Sequence, residues 1–205
     1  SQNKDQEYFS DGLTEDIITN LSKVSRLFVI SRNSSFLYKG KQVTIQEVAK
    51  DLGVRYVLEG SIRRRGDKIR VTAQLIDGKT EQHVWADSYD QELKNTFSMQ
   101  DEITRKVVSE LAIALTEDET GRLFRKHTEN FEAYDLSLRA RKGTMVVEKE
   151  SDLRVMEMAT QVINLDPNFA AGYYLLSFML TRGIRYGWSA SPREDLEKAF
   201  KLAQK

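Results

Sequence analysis

The sequence predicts an α+β fold, in which an α/β domain with a small mixed sheet and flanking helices precedes an all-α region. Residues 1–94 mix helical spacing with two-residue alternation, whereas residues 95–205 have apolar residues at helical spacing almost throughout. A chain of 205 residues, 40% of them hydrophobic, is long enough for one larger or two small domains with real cores. We therefore expect an α/β domain over residues 1–94, a long connecting helix and linker over 95–130, and helical repeats over 131–205.

The composition argues against several classes of function. Lysine and arginine together number 31, as do aspartate and glutamate, so a zero formal net charge gives no bulk support for direct binding of nucleic acid or of an anionic membrane. The absence of cysteine excludes disulfides, thiolate zinc sites and cysteine nucleophiles. No apolar run approaches the ~20 residues of a membrane span. We expect a cytoplasmic fragment of a longer protein, or a periplasmic one if the parent has a transmembrane segment upstream.

The first half is predicted to contain helices followed by strands. The run Leu27–Ile30 predicts a short buried strand. A short helix is expected over 44–52, with Thr44 as N-cap, Glu47 completing a capping box and Gly53 ending the helix. A first helix is indicated by Phe9, Leu13, Ile17, Leu21 and Val24, and strands are expected at about 54–64, 68–77 and 82–90.

Arg65-Gly66-Asp67 has the sequence of a cell-adhesion tripeptide, but a hairpin turn explains it better. Glycine at the first central position suits a type II′ turn formed by Gly66 and Asp67. The resulting register places Ile62 opposite Val71, Gly60 opposite Ala73 and Leu58 opposite Leu75. We expect Ile62, Val71, Ala73 and Leu75 in the core, and Arg63 and Arg70 exposed on the other face.

Gly78-Lys79-Thr80 has the sequence that ends a phosphate-binding loop, and it too is better explained as a turn. Such a loop needs glycine five residues before Gly78, where this chain has Ala73. The loop must also open a helix, whereas the segment after Thr80 alternates like a strand.

No catalytic, metal-binding or cofactor-binding residue is predicted. The acidic pairs Glu15-Asp16 and Asp101-Glu102 fit solvated helix faces, and His83 and His127 have no metal-ligand spacing around them. A partner surface is the remaining candidate. A basic cluster at the hairpin could bind an anion or an acidic partner, although a solvated strand face also explains it, and two aromatic residues of the last strand could pack internally or bind a partner. The candidate residues are Arg63, Arg65, Arg70, Trp85, Tyr89 and Tyr173.

The second half is predicted to be a series of helices, near 95–116, 131–145, 151–164, 169–183 and 192–205. The stripe of the 95–116 helix consists of Phe97, Ile103, Val107, Leu111 and Leu115. Pro167 separates two of the later helices. Their apolar spacing resembles tetratricopeptide (TPR) units, which are ~34-residue helix pairs. The matching positions are Tyr173, Leu176, Ser177 and Leu180 on a first helix, Leu196, Phe200 and Ala203 on a second, and Val155, Ala159 and Val162 upstream.

Several longer motifs together resemble the TolB-N-terminal-like domain of large bacterial signalling proteins. They read EYFSDGLTEDIITNLSKV, LFVISRNSSFLYKGK, VAKDLGVRYVLEGSIRR, RVTAQLID, VWADSYD and MQDEITRKVV. In those proteins TPR units follow, as they do here from AYDLSLRA, so the resemblance covers roughly residues 5–205. Family members also carry a strand just before the point where this chain starts. Its absence here predicts a sheet with an unfilled place or an open edge.

The resemblance implies a non-catalytic regulatory or protein-interaction region. Family members typically carry an N-terminal output domain, which is either a class III adenylate/guanylate cyclase domain or a winged-helix DNA-binding domain of the CadC type. The resemblance favours a cyclase whose catalytic domain lies outside these residues, and the alternative is a sensor or interaction region of a winged-helix transcriptional regulator with TPR units. We expect a protein partner or self-association, through the helices or the open sheet edge, and further helical pairs beyond Lys205 in the parent.

Overall fold

The computed structural model describes residues 4–113, 115–116, 119–120, 123 and 128–205. The chain divides into two compact units, Ser1–Arg125 and Lys126–Lys205. The first unit combines a small sheet with helices, and the second is helical, which confirms the predicted α+β class.

The first unit contains a three-stranded sheet in the order β1-β2-β3, with both strand pairs antiparallel. In the described residues the sheet is thus antiparallel rather than mixed. Helices α1 and α4 contact each other, and they contact β1 and β3 respectively. The elements are α1 Lys4–Ser22, α2 Arg32–Phe36, α3 Ile45–Leu52, β1 Tyr56–Arg65, β2 Lys68–Asp77, β3 His83–Glu92, a 3-10 turn Leu93–Asn95 and α4 Thr96–Glu110.

The predicted hairpin register is confirmed at each pair, from Leu58 opposite Leu75 to Ile62 opposite Val71. Gly66 has φ +60°, as the first central residue of a type II′ turn requires. Val71, Ala73 and Leu75 are buried, and Arg63 and Arg70 are exposed, as expected. Ile62 is half-buried rather than core, because it lies on an edge strand with a neighbour on one side only among the described residues.

Two further expectations for the first unit are wrong. Leu27–Ile30 forms no strand, and the Phe28 side chain is 87% exposed. Helix α4 ends at Glu110 rather than near residue 116, because Ala112 adopts a left-handed φ of 51° and closes the helix end. By contrast, the capping box at Thr44 and the left-handed Gly53 that ends α3 are confirmed.

The second unit consists of consecutive helices that pack against their neighbours, α5 with α6, α6 with α7 and α7 with α8. A β-carbon on Gly172 would lie 2.8 Å from Ile163 and 3.0 Å from Val162, so glycine permits the close approach of α6 and α7. The helices are α5 Phe131–Gly143, α6 Lys149–Leu165, α7 Ala170–Arg185 and α8 Pro192–Ala203. Its core contains Ala140, Val155, Ala159, Leu175, Leu176, Met179, Leu180 and Ala199.

Candidate functional site

The three candidate arginines of the hairpin lie on the face of the sheet opposite the core. Arg63 and Arg65 are exposed on β1. Arg70, on β2, donates from Nε and an Nη to the two carboxylate oxygens of Asp90 at 2.6 and 2.7 Å. These hydrogen bonds hold the pKa of Asp90 below its ordinary value. The charge of Arg70 is therefore matched within the sheet, whereas Arg63 has no carboxylate partner among the described residues.

Trp85 and Tyr89 lie on the other face of the sheet and are buried, at 8% and 7% exposure. Their ring centroids are 6.5 Å apart. Burial raises the pKa of Tyr89 to about 12. Trp85 and Tyr89, on β3, lie opposite Leu75 and Val71 of β2, whose side chains are on the face opposite to that of Arg70. The arginines and the aromatic pair therefore do not share one surface.

Helix α8 carries an exposed apolar face formed by Leu196 and Phe200, hereafter the α8 face. These side chains are 57% and 65% exposed. The predicted repeat matched Leu196, Phe200 and Ala203 to the buried Val155, Ala159 and Val162 of α6, and this match is wrong. The α8 residue that joins Val155 and Ala159 in the core is Ala199, which is 2% exposed, whereas Leu196, Phe200 and Ala203 are exposed. Among the described residues, α7 is the helix found to contact α8.

Tyr173, the remaining candidate for a partner surface, is half-buried on α7. Its hydroxyl donates to the carbonyl oxygen of Pro167 at 3.0 Å. That bond ties the start of α7 to the turn that follows α6. Farther along α7, Tyr174 and Phe178 stack with ring centroids 6.0 Å apart and are 63% and 39% exposed.

A buried ion pair that the sequence reasoning missed joins α6 to α7. The Arg182 guanidinium, 8% exposed, donates from Nε to Asp152 at 2.8 Å and also pairs an Nη with the same carboxylate. Its other donors reach the carbonyl oxygens of Thr144 at 2.5 Å and Val146 at 3.2 Å. Arg182 thereby fixes the loop between α5 and α6. Asp152 lies in the first turn of a helix, where acidic residues are common, so no sequence signal distinguishes it.

A second missed interaction centres on Glu119 in the first unit. One carboxylate oxygen accepts hydrogen bonds from the hydroxyl and backbone N–H of Ser25, at 2.6 and 2.8 Å. The other carboxylate oxygen accepts a hydrogen bond from the backbone N–H of Thr116 at 3.0 Å. The Ser25 hydroxyl and these backbone groups lower the pKa of Glu119 to about 2. The carboxylate thus ties the segment after α1 to a segment 94 residues away.

The described residues contain no group of three or more histidine, cysteine, aspartate or glutamate side chains that could hold a metal ion. The acidic pair of α1 is engaged in structural contacts, since Glu15 pairs with Arg32 at 3.2 Å and Asp16 accepts from Gln100 at 3.3 Å. His83 is exposed, and His127 lies outside the described residues. Among the helices that the structure describes, none is long and apolar enough to span a bilayer.

Comparison with known proteins gives two relevant matches. Residues 2–106 match the family model described as HilA/YgeH-like transcriptional regulator, second domain. Over 204 residues the chain is 45% identical to a protein of Rhizobium meliloti (strain 1021) named "Putative adenylate cyclase 3". That alignment covers 100% of this chain and 35% of the relative, so the chain spans about a third of the relative's length.

Proposed function

We propose that this chain, which belongs to the family of HilA/YgeH-like transcriptional regulator second domains, has a regulatory role. In this proposal the chain is a non-catalytic protein-interaction region of a bacterial signalling protein. The output domain is an adenylate or guanylate cyclase domain outside these 205 residues. The similarity of the whole chain to a relative named as an adenylate cyclase supports the choice of output.

The α8 face carries the interaction part of the proposal. Leu196 and Phe200 expose large apolar side chains on α8, at 57% and 65% exposure. An isolated helix pair of a repeat array leaves such a face uncovered, and the next helix or a partner helix covers it. We therefore interpret residues 131–205 as TPR-like repeats, residues 1–94 as a TolB-N-terminal-like domain and residues 95–130 as the connection. The compartment in this proposal is the cytoplasm, or the periplasm if a transmembrane segment precedes the chain in the parent.

A second candidate function is the sensor or interaction region of a winged-helix transcriptional regulator. The description of the matching family, a transcriptional regulator's second domain, favours this alternative. In both cases this region binds protein rather than DNA, and the proposals differ in the output domain. The zero formal net charge gives no bulk electrostatic support for DNA binding by this region.

The test uses the full-length protein that contains this chain, assayed for cyclic nucleotide formation and for binding to its own promoter DNA. Phe200→Ser on the α8 face should change the output of the full-length protein by several-fold, and it should leave the unfolding of the 205-residue chain almost unaffected, because the side chain is exposed in that chain. Lys201→Ser, at an exposed neighbouring position of α8, is the matched control and should leave the output unchanged. Cyclase output favours the first candidate and DNA binding the second. An output that responds to neither Phe200→Ser nor removal of residues 131–205 would refute the regulatory role.

A further inference from the structure

We propose that Arg63 and Arg65 bind an acidic, extended segment of a partner protein, on the face of the sheet opposite the core. The two arginines take two carboxylates that lie two residues apart in the partner's chain. The proposal names the chemistry of the partner for the interaction role described above and rests on that role. It concerns a surface of the first unit, so it can be tested separately from the α8 face.

Side chains on this face of the sheet form rows that run across the three strands. Near the hairpin turn, one row consists of Arg63, Arg70 and Asp90, and the next consists of Arg65, Lys68 and Glu92. In both rows β1 and β2 place two cations directly opposite each other. Like charges in directly facing positions destabilise a strand pair. The folding of the sheet therefore does not favour this arrangement, and a departure from such a local rule is typical of a functional surface.

The two carboxylates of these rows are engaged away from β1. Asp90 accepts hydrogen bonds from two guanidinium nitrogens of Arg70, at 2.6 and 2.7 Å. Glu92 pairs with Lys94 at 2.6 Å. The hydrogen bond and charge of Lys94, together with the charge of Lys68, hold the pKa of Glu92 below its ordinary value. Both carboxylates thus neutralise cations on β2 or in the turn that follows β3.

Arg63 and Arg65 have cations as their neighbours across the hairpin and no acidic partner. Both side chains are exposed, and in the described part of the chain neither forms an ion pair with a carboxylate. Glu59, on the same face of β1, accepts a hydrogen bond from the side-chain amide of Gln74. A further strand beside β1 would extend the sheet in its own plane, and it would leave the side chains of this face uncovered.

The spacing of the two arginines selects an extended segment. Alternate residues of a strand are roughly 6.7 Å apart, so Arg63 and Arg65 match two carboxylates at alternate positions of another extended chain. A guanidinium binds a carboxylate through two parallel hydrogen bonds, so each arginine is satisfied by one acidic side chain. The pairing of Arg70 with Asp90 has this two-bond geometry within the same face.

Nucleic acid suits this face less well than an acidic segment does. A phosphate backbone presents a continuous run of negative charge and is bound through many cations. Here Asp90 and Glu92 lie in the same two rows, and Asp67 is exposed in the adjoining turn. The zero formal net charge of the chain adds no bulk attraction. A short segment with two correctly spaced carboxylates contacts the two arginines and avoids these acidic residues.

The first experiment measures binding of a fluorescein-labelled peptide of alternating glutamate and threonine to the 205-residue chain, by fluorescence anisotropy. Arg63→Gln and Arg65→Gln should each weaken binding by about threefold, and the double variant by about tenfold, because each removes one exposed charge pair. Lys79→Gln, at an exposed position in the turn at the other end of the sheet, is the matched control and should leave binding unchanged. Circular dichroism verifies that each variant is folded.

The second experiment tests the spacing and the sign of the charge. A peptide with the same number of glutamates, placed at every third position, should bind several-fold more weakly, because successive carboxylates of an extended chain then point to opposite sides. Asp90→Asn should tighten binding of the alternating peptide by about threefold, since it releases the charge of Arg70 beside Arg63. Fluorescein-labelled oligothymidine should bind more weakly than the alternating peptide.

Equal losses for Arg63→Gln and Lys79→Gln would indicate general charge attraction and would overturn the proposal. Tighter binding of oligothymidine than of the peptide, through the same arginines, would assign the site to nucleic acid instead. If the peptide does not bind while Phe200→Ser still changes the output of the full-length protein, this proposal fails and the regulatory role stands. If the peptide binds and neither Phe200→Ser nor the double arginine variant changes that output, the regulatory role fails and the binding site stands.

Discussion

Removing one partner of the buried Arg182–Asp152 pair should destabilise the helical unit strongly. Asp152→Ala deletes two charge-assisted hydrogen bonds and leaves a guanidinium that is 8% exposed with two carbonyl partners. Arg182→Met removes all four bonds of the guanidinium and leaves a carboxylate that is 4% exposed without its cation. Breaking a buried ion pair costs about 3–5 kcal/mol. We expect about 3 kcal/mol for Asp152→Ala and about 4 kcal/mol for Arg182→Met, within that range.

The double variant Asp152→Leu/Arg182→Met distinguishes a desolvated ion pair from ordinary packing. Because it leaves no buried charge, it should cost less than either single substitution, although the carbonyl groups of Thr144 and Val146 still lose a donor. Arg193→Met is the control. Arg193 is 94% exposed and lies 3.7 Å from Glu197, so its loss should cost less than about 0.5 kcal/mol.

Urea unfolding followed by tryptophan fluorescence measures these free energies of unfolding. The chain has two tryptophans, Trp85 in the first unit and Trp188 in the second. In a Trp85→Phe background, the fluorescence change therefore follows the helical unit alone. A cost below about 1 kcal/mol for both single substitutions, or strictly additive costs in the double variant, would refute the reasoning.

Three further predictions test the first unit. Val71→Asp should lower the free energy of unfolding by several kcal/mol by burying an unpaired charge, whereas Arg70→Glu should cost little, and equal losses in urea titrations would contradict the hairpin register. Glu119 has a folded pKa of about 2, below its ordinary value of 4.5, so it contributes stability above pH 4.5 that is lost as the pH falls toward 2. Glu119→Gln should flatten this part of the stability-versus-pH curve, and superimposable curves would exclude the effect. Replacing Arg65-Gly66-Asp67 with Asn-Gly-Lys should preserve the melting temperature, because the turn chemistry remains suitable, and loss of a bound partner with stability unchanged would show a recognition role for the tripeptide.

The hairpin and the helix pairs could be predicted because local rules determine them. Two-residue alternation combined with a two-residue turn leaves one register for β1 and β2 that gathers the apolar residues on one face. Likewise, the sequence itself marks both ends of α3, which begins after the capping box of Thr44 and Glu47 and ends at Gly53. Helical spacing between clear stop signals located α5 to α8 within a few residues.

The wrong predictions and the missed ion pair have a common physical cause. Each of these features depends on contacts in the folded chain, which the composition of a segment does not determine. Leu27–Ile30 has the residues of a strand, but a strand also needs a hydrogen-bonded neighbour, and this segment has none among the described residues. Helix α4 ends at an alanine in a left-handed conformation, which sequence rules assign to glycine or asparagine. The Arg182–Asp152 pair joins residues 30 positions apart, and no local pattern indicates such a long-range contact.

The central claim is that this chain regulates a catalytic domain without being one. Cyclic nucleotide formation from ATP and GTP, measured in parallel for the purified 205-residue chain and for the full-length protein that contains it, tests this most directly. We predict no turnover by the chain with Mg²⁺ or Mn²⁺, and turnover by the full-length protein that changes by several-fold with Phe200→Ser. Turnover by the chain itself, lost on substitution of one of its acidic residues, would contradict the claim.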